Sequence, residues 1–312
     1  MSALSLAPAP QGARPATAAP DIVVTLLGTG NPRPTPKRFG PAILVEAGPE
    51  RILVDTGRGS TIRLFEIGNA AAVRGVTAVL LTHLHSDHVV GLPDLWLTGW
   101  IFGRRTPLEI YGPPGTGQLT AGIEQAFQFD VRMRRDVDEH LPASGVELRS
   151  QEIQPGIVFE RNGLRVEAFA VDHAPVAPAY GYRIEYRGRS VVFSGDTRYT
   201  EALVHAARGA DVLVHEVISP EVERRRTRMD DPAAVERIIA RHTTPEEAGR
   251  IFAAVRPRLA VYSHVVPSPA RAEDLVGPTR RTYRGRLAVG HDLMRIAIGT
   301  RVVVSTRVRV PE

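Results

Sequence analysis

Three histidines and one aspartate follow one of the most apolar runs of this sequence. The run is VTAVLLT (76–82), and the polar residues after it are His83, His85, Asp87 and His88. His83 and His85 are two positions apart, so their side chains leave an extended segment on the same face. Burying these groups without a cation would be costly, and zinc accepts imidazole and carboxylate ligands together. The pattern therefore predicts a metal site where a buried strand ends.

Three more potential ligands, His173, Asp196 and His264, lie at or beside the ends of later predicted strands. Groups that carry chemistry are often placed where rigid strands end. A single catalytic zinc takes three protein ligands and a water, so this larger set suits two metals that share a bridging carboxylate and a bridging hydroxide. Four other histidines are interpreted as ordinary hydrogen-bonded residues of the core or surface: His140, His205, His215 and His291.

Short β-rich runs and intervening helical segments must position these side chains. The predicted strands are 22–28, 42–47, 51–55, 76–82, 107–112, 165–171, 180–186, 190–196, 211–216 and 258–264. The predicted helices are 60–67, 118–129, 200–208, 232–241 and 245–255. Because strands alternate with helices in both halves, we expect an α/β fold of two mixed β-sheets packed face to face with helices on the outer faces, an αββα sandwich.

Length and composition limit the class of protein. A chain of 312 residues, 43% hydrophobic and 23% charged, suffices for one large domain or two modest ones. No linker-like segment interrupts 21–312, which favours a single domain there. No apolar run reaches the roughly 18 residues of a membrane span, and the absence of cysteine excludes disulfides and thiolate metal sites.

The net charge and residues 1–20 indicate less about function than the histidine and aspartate motifs do. The net charge is +5, carried almost entirely by scattered arginines, which is weak support for a nucleic-acid partner. Residues 1–20 are rich in Ala and Pro and lack the apolar block of an export signal. They predict a disordered leader and a cytoplasmic protein, with a poor export signal as the alternative.

Several motifs resemble the metallo-β-lactamase superfamily, whose mark is an HxHxDH motif with a later His, Asp and His. The motifs similar to its zinc phosphodiesterase branch, which contains tRNase Z, are LLGTGNPRP (26–34), VDTGRG (54–59), THLHSDH (82–88), YGPPGT (111–116), GYRI (181–184), SGDT (194–197) and VHE (214–216). Those that look closer to the arylsulfatases of metallo-β-lactamase type are GLPDLWLTGW (91–100), HTTPEEAG (242–249) and YSHVV (262–266).

That resemblance implies a role for each candidate residue. It implies one zinc held by His83, His85 and His173, and another held by Asp87, His88 and His264. By the same resemblance Asp196 bridges the two metals and Asp55 orients a ligand imidazole. Manganese or iron(II) could take the place of zinc.

The implied chemistry is hydrolysis of an ester by a metal-bridging hydroxide. Asp87 would orient the attacking water or accept its proton. His242, kept protonated by Glu216, would donate a proton to the leaving oxygen. Helix capping by Thr243 or Thr244 explains the residues around His242 equally well.

The resemblance leaves the substrate open. Our main interpretation is a dinuclear zinc hydrolase of small anionic esters, either aryl sulfates or phosphodiesters. The alternatives are a tRNase Z-type 3′ tRNA-processing endoribonuclease, a lactonase and a non-hydrolytic binding module. We place nucleic acid second because the tRNA-gripping arm of tRNase Z is missing at Arg187-Gly188-Arg189, between GYRI and SGDT. The resemblance also allows a homodimer.

Two features could shape a small-substrate pocket. Trp96, Trp100 and Phe102 could form an aromatic wall that favours an aryl leaving group, or they could be core residues. Arg198 could steer an anion, or it could be an ordinary surface residue.

Overall fold

Two β-sheets lie face to face, and helices cover their outer surfaces. The computed structural model describes residues 19–226, 232–267 and 270–306. Within these ranges one sheet has eight strands in the order β15-β14-β1-β2-β3-β4-β5-β6, and the other has seven in the order β13-β12-β11-β10-β9-β8-β7. The predicted αββα sandwich of two mixed sheets is confirmed.

The bounds of the elements are as follows. The strands are β1 Ile22–Gly28, β2 Ala42–Ala47, β3 Glu50–Val54, β4 Ala78–Leu80, β5 Leu108–Gly112, β6 Leu148–Glu152, β7 Gly156–Arg161, β8 Leu164–His173, β9 Val176–Tyr186, β10 Arg189–Phe193, β11 Val212–Ile218, β12 Leu259–Val266, β13 Leu287–Val289, β14 Met294–Ile298 and β15 Val302–Ser305. The helices are α1 Ser60–Arg74, α2 Ser86–Val89, α3 Leu92–Ile101, α4 Thr116–Arg132, α5 Ala143–Val146, α6 Glu201–Ala206, α7 Pro220–Arg226, α8 Pro232–Ile239, α9 Pro245–Val255 and α10 Ala272–Thr279, with a π-helical turn at Met133–Val137.

Alternation along the strands builds the layers. Ile43 and Val45 of β2 face the other sheet, where they join a buried cluster with Tyr182 and Val261. Leu44, between them, points outward and packs in a cluster with Leu64 of α1 and Leu95 of α3. Successive side chains of a strand point to opposite faces, so a strand that is apolar throughout serves both interfaces. Leu213, Phe252 and Leu275 belong to the corresponding cluster beneath the helices of the second sheet.

Parallel strands bring the candidate ligands to one edge of the sandwich. In the first sheet β3, β4 and β5 run parallel, and in the second β10, β11 and β12 do. Asp55 directly follows β3, His83 follows β4 after two residues, and Asp196 follows β10 after two residues. Parallel strands end at the same edge of a sheet, so these groups meet there.

The structure corrects several predicted bounds. The predicted strand 76–82 is paired only over Ala78–Leu80, because the chain leaves the sheet to present Thr82 and His83 to the site. Five strands, β6, β7, β13, β14 and β15, were missed. β6 is mostly exposed and polar, and therefore lacks the apolar pattern by which strands are recognised, and no residue of β7 is buried.

β9 and β10 are joined by the two residues Arg187 and Gly188. Both have a positive φ, 49° and 71°, and Tyr186 pairs with Arg189 across the turn. Two positive φ values in a two-residue loop form a tight hairpin turn. There is accordingly no arm at this point of the described chain, as the sequence predicts.

None of the helices in the described ranges is long and apolar enough to cross a membrane. Of the predicted leader, residues 1–18 lie outside the described residues.

Candidate metal centre

A sharp turn after β4 presents four of the candidate residues. The segment is extended at His85, which has φ −62° and ψ 145°, and the short helix α2 begins at the next residue. His83, Asp87 and His88 are buried, whereas His85 is half-buried and lies at the edge of a cavity. Because the chain changes from extended to helical here, the side chains of His83 and His88, five residues apart, can face the same metal site.

The structure brings all seven predicted ligands together in overlapping groups. Within each group, one candidate ligand atom of every residue lies within 4.8 Å of the others. The groups are His83, His85, His173 and Asp196; Asp87, His88 and His264; and Asp196, His242 and His264. The first two groups match the two ligand sets implied by the family resemblance.

Asp196 stands between the two groups. Its Oδ2 atom lies 3.9 Å from Nε2 of both His83 and His173, and 3.5 Å from Nε2 of both His88 and His264. One carboxylate oxygen is therefore near imidazole nitrogens from both sets. This is the position that a bridging carboxylate requires.

Neighbouring polar groups orient the imidazoles. Asp55 Oδ2 lies 2.8 Å from Nδ1 of His88, and Asp55 Oδ1 also accepts from the backbone N–H of Thr82 at 2.8 Å. His173 donates through Nδ1 to the backbone carbonyl of Arg241 at 3.0 Å. An imidazole whose Nδ1 holds the proton presents the Nε2 lone pair to a metal, which is the usual arrangement around ligand histidines.

The backbone is strained at two of these residues. Asp55 has φ 60° and His264 has φ 42°, in the left-handed region that non-glycine residues rarely adopt. Residues in such conformations persist where the surroundings hold them, commonly at functional sites. His264 is held through its neighbour Val265, whose N–H donates to the carbonyl of Thr29 at 3.0 Å and whose carbonyl accepts from Asn31 Nδ2 at 2.8 Å.

The donor set fits divalent cations. Nε2 of His88, Nε2 of His173 and Oδ1 of Asp196 are buried and have no hydrogen-bond partner among the described residues. Buried polar atoms without partners are rare in folded proteins, and these three point into one cluster. Imidazole nitrogen with carboxylate oxygen is the ligand chemistry of zinc and similar metals.

The charges of the cluster also suit a cation. Burial opposes ionisation of Asp196, but the surrounding histidines, His264 first, lower the pKa of its carboxyl well below the usual value. Burial lowers the pKa of His173 to about 4, so this imidazole is neutral at pH 7. An ionised carboxylate and a neutral imidazole are the forms in which Asp196 and His173 can bind a metal. For His88 and His264, burial lowers the pKa, but the neighbouring carboxylates, Asp196 first, together outweigh it and raise the pKa above the usual value.

His242 lies next to this cluster, beside Glu216. Nδ1 of His242 is 3.3 Å from Oε1 of Glu216, which also accepts from the backbone N–H of Thr243 at 2.9 Å. Burial lowers the pKa of His242 to about 4 and raises that of Glu216 well above its usual range. The His242 imidazole is therefore neutral at pH 7. That Glu216 keeps His242 protonated stays a prediction of the family resemblance, which the low pKa of His242 does not favour.

A cavity of about 230 Å³ opens beside the cluster. Its polar lining includes His85, Asp87 and His242, and its apolar lining includes Ile238 and Val266. Sequence reasoning missed the other residues that line it, Asn31, Pro32, Arg33, Glu223 and Arg241. Arg241 could have been predicted as a cavity residue from its position directly before His242. Arg33 could have been predicted from its place in the motif LLGTGNPRP.

The proposed aromatic wall is wrong for the two tryptophans. Trp96 and Trp100 are 1% and 0% exposed and belong to the core beneath the first sheet, so the core alternative is the correct one. Phe102 is exposed but contacts Phe65 on the surface, with ring centroids 5.8 Å apart, and does not line the cavity.

The structure gives Arg198, His215 and His291 ordinary hydrogen-bonding roles outside the cavity lining. Arg198 lies 3.4 Å from Asp172 and donates to the carbonyl of Ala174, away from the cavity lining. His215 and His291 each bond a backbone carbonyl through Nδ1, at 2.6 and 2.9 Å.

Known proteins share both the sequence and the fold. The model of the β-lactamase superfamily domain matches residues 50–265. Ribonuclease Z of Mycolicibacterium paratuberculosis is 40% identical over 286 residues, which cover 89% of this chain and 98% of that protein. The short form of human tRNase Z superposes with a TM-score of 0.64 at 23% identity, over 89% of this chain and 99% of that one. The metallo-β-lactamase fold protein YhfI from Bacillus subtilis gives 0.65 at 21% identity, over 88% and 98%.

Proposed function

This chain belongs to the β-lactamase superfamily, and we propose that it is a metal-dependent phosphodiesterase that cleaves RNA as a ribonuclease Z does. One observation carries the proposal: the full set of converging histidines and aspartates occurs in a chain that is 40% identical to ribonuclease Z over 89% of its length. This favours the endoribonuclease alternative over the arylsulfatase interpretation, which none of the relatives named above supports.

We assign the two metal positions to the two groups of ligands. His83, His85 and His173 would hold one cation and Asp87, His88 and His264 the other, with Asp196 shared. Zinc suits these donors best, and manganese or iron(II) are alternatives. When bound, two such cations supply an activated water and stabilise negative charge on the oxygens of a phosphodiester.

The protein side chains would orient the substrate and move protons. Asp87 lines the cavity, so its carboxylate is placed to accept a proton from the attacking water. His242 lines the same cavity and is placed to deliver a proton to the leaving oxygen. Glu216 would act through His242 by orienting its ring from 3.3 Å.

A small phosphodiester is the second candidate substrate. Two observations favour it: the β9–β10 turn has only two residues where tRNase Z has its arm, and the cavity of about 230 Å³ is no larger than an ordinary small-ligand pocket. If RNA is the substrate, other surfaces of this protein must grip it.

A parallel assay separates the candidates. The metal-loaded protein is incubated with a precursor tRNA carrying a 3′ trailer, with bis(p-nitrophenyl) phosphate, with p-nitrophenyl sulfate and with a lactone. We expect release of the trailer and hydrolysis of the phosphodiester, with salt-sensitive binding of the RNA. Hydrolysis of the diester without trailer release would leave the small-substrate candidate. Activity on the sulfate or lactone alone would refute both. Asp196→Ala is the control for a contaminating nuclease.

A further inference from the structure

We propose that Arg241 binds the anionic group of the substrate and makes the cavity selective for charged esters. This inference rests on the proposed function, because it assigns a substrate-binding residue to the same site. It adds a residue that no sequence motif indicated.

Arg241 is held in a defined place beside the metal ligands. It lies two residues after the end of α8, directly before His242, and it is one of the residues that line the cavity. Its backbone carbonyl accepts the Nδ1 proton of His173 at 3.0 Å. The residue that carries this guanidinium is thus fixed by a ligand of the first metal position.

The charge of Arg241 reaches the site. Apart from burial, which is the main cause, its positive charge contributes to the lowered pKa of His85 and of His242. His85, His242 and Arg241 all line the same cavity. The positive charge of Arg241 would therefore also attract an anion bound beside the metals.

No carboxylate neutralises this guanidinium among the described residues. Its Nε donates to the backbone carbonyl of Arg237 at 3.1 Å, which leaves the terminal nitrogens available to a ligand. The other arginine of the cavity, Arg33, differs, because it is paired with Glu223 at 3.0 Å. The other carboxylates that line the cavity, Asp87 and Asp196, lie within the ligand groups instead.

Arginine suits the proposed ligand. The guanidinium has parallel N–H donors that match two oxygens of a phosphate, and hydrogen bonds between charged groups are the stronger ones. A phosphodiester presents two non-bridging oxygens that share one negative charge, whereas a lactone presents none. Arg241 would thus favour a diester over a neutral ester.

Inorganic phosphate is the probe that tests this role without knowledge of the substrate. Its dissociation constant is measured by calorimetry on metal-loaded wild type, Arg241→Gln and Arg241→Lys. Losing a charge-assisted pair of bonds should weaken binding about 10- to 100-fold in Arg241→Gln, with metal content unchanged. Arg241→Lys keeps the charge and should bind more tightly than Arg241→Gln. Arg241→Met, which keeps the aliphatic stem, replaces Arg241→Gln if that variant folds poorly.

Arg237→Gln is the matched control, since it removes an exposed arginine of α8 that does not line the cavity and keeps the carbonyl bonded by Arg241. It should bind phosphate as wild type does. The proposal is overturned if wild type binds no phosphate, if Arg241→Gln binds within twofold of wild type, or if the control weakens binding equally. A protein that binds phosphate through Arg241 but hydrolyses no diester would refute the proposed function and leave the binding role intact.

Discussion

The carboxylate of Asp55 lies 2.8 Å from Nδ1 of His88 and is shared with Thr82, which links the end of β3 to the turn after β4. Removing the charge in Asp55→Asn should weaken metal binding about 10- to 100-fold, as loss of such a supporting acceptor typically does. The measurement is metal affinity by competition with a chelator. Asp94→Asn, on an exposed turn of α3, is the control and should behave as wild type. Unchanged affinity in Asp55→Asn would remove the orienting role.

Asp196 is the residue on which both metal positions depend. Because its Oδ2 is within 3.9 Å of four imidazole nitrogens, Asp196→Ala should lower the metal content and nearly abolish turnover of bis(p-nitrophenyl) phosphate. Metal content is measured by elemental analysis beside the initial rate. A variant that keeps both its metals and its rate would show that Asp196 does not bridge them.

The dependence of the rate on the leaving group tests whether His242 is the proton donor. If His242 delivers a proton to the leaving oxygen, His242→Ala should slow poor leaving groups by about 10²- to 10⁴-fold. Release of p-nitrophenolate, which needs little protonation, should fall far less. The measurement is kcat for a series of aryl phosphodiesters of graded leaving-group pKa. Parallel losses along the series would exclude general acid catalysis by His242 and favour a structural role.

His215 should make the fold sensitive to acid. Burial lowers its pKa from 6.5 to about 4, and its Nε2 has no partner in the described part of the chain. The unfolded chain therefore binds a proton that the folded one does not, so stability is complete above pH 6.5 and falls as the pH is lowered from 6.5 to 4. One proton corresponds to about 1.4 kcal/mol per pH unit of the free energy of unfolding.

His215→Asn should flatten that decline by up to this slope, since it removes the titrating ring and keeps a donor for the carbonyl of Glu216. Denaturant unfolding between pH 4 and 7 measures it. His205→Asn, on the exposed side of α6, is the control and should retain the wild-type slope. The same slope in both variants would mean that the acid sensitivity arises elsewhere.

Sequence patterns predicted correctly those features that are formed by residues close together in the chain. The spacing of His83, His85, Asp87 and His88 predicted a metal site because side chains on one short turn can face one point whatever the rest of the chain does. The same holds for the hairpin at Arg187 and Gly188, where two positive φ values close the turn. Burial is a different matter: Trp96 and Trp100 looked equally suited to a pocket wall and to the core, because an aromatic side chain is compatible with either.

The sequence by itself determined the class of fold, through its alternating apolar strands and helices, and the chemical type of the site, through the spacing of its histidines and aspartates. Only the tertiary structure decided that His173 and His264 meet the His83–His88 turn, that Arg241 lines the cavity, and that burial lowers the pKa of His242 and raises that of Glu216. These outcomes depend on sheet order, which brings distant residues together, and on burial. Burial changes the free energy of a charge by an amount that no spacing along the chain reveals.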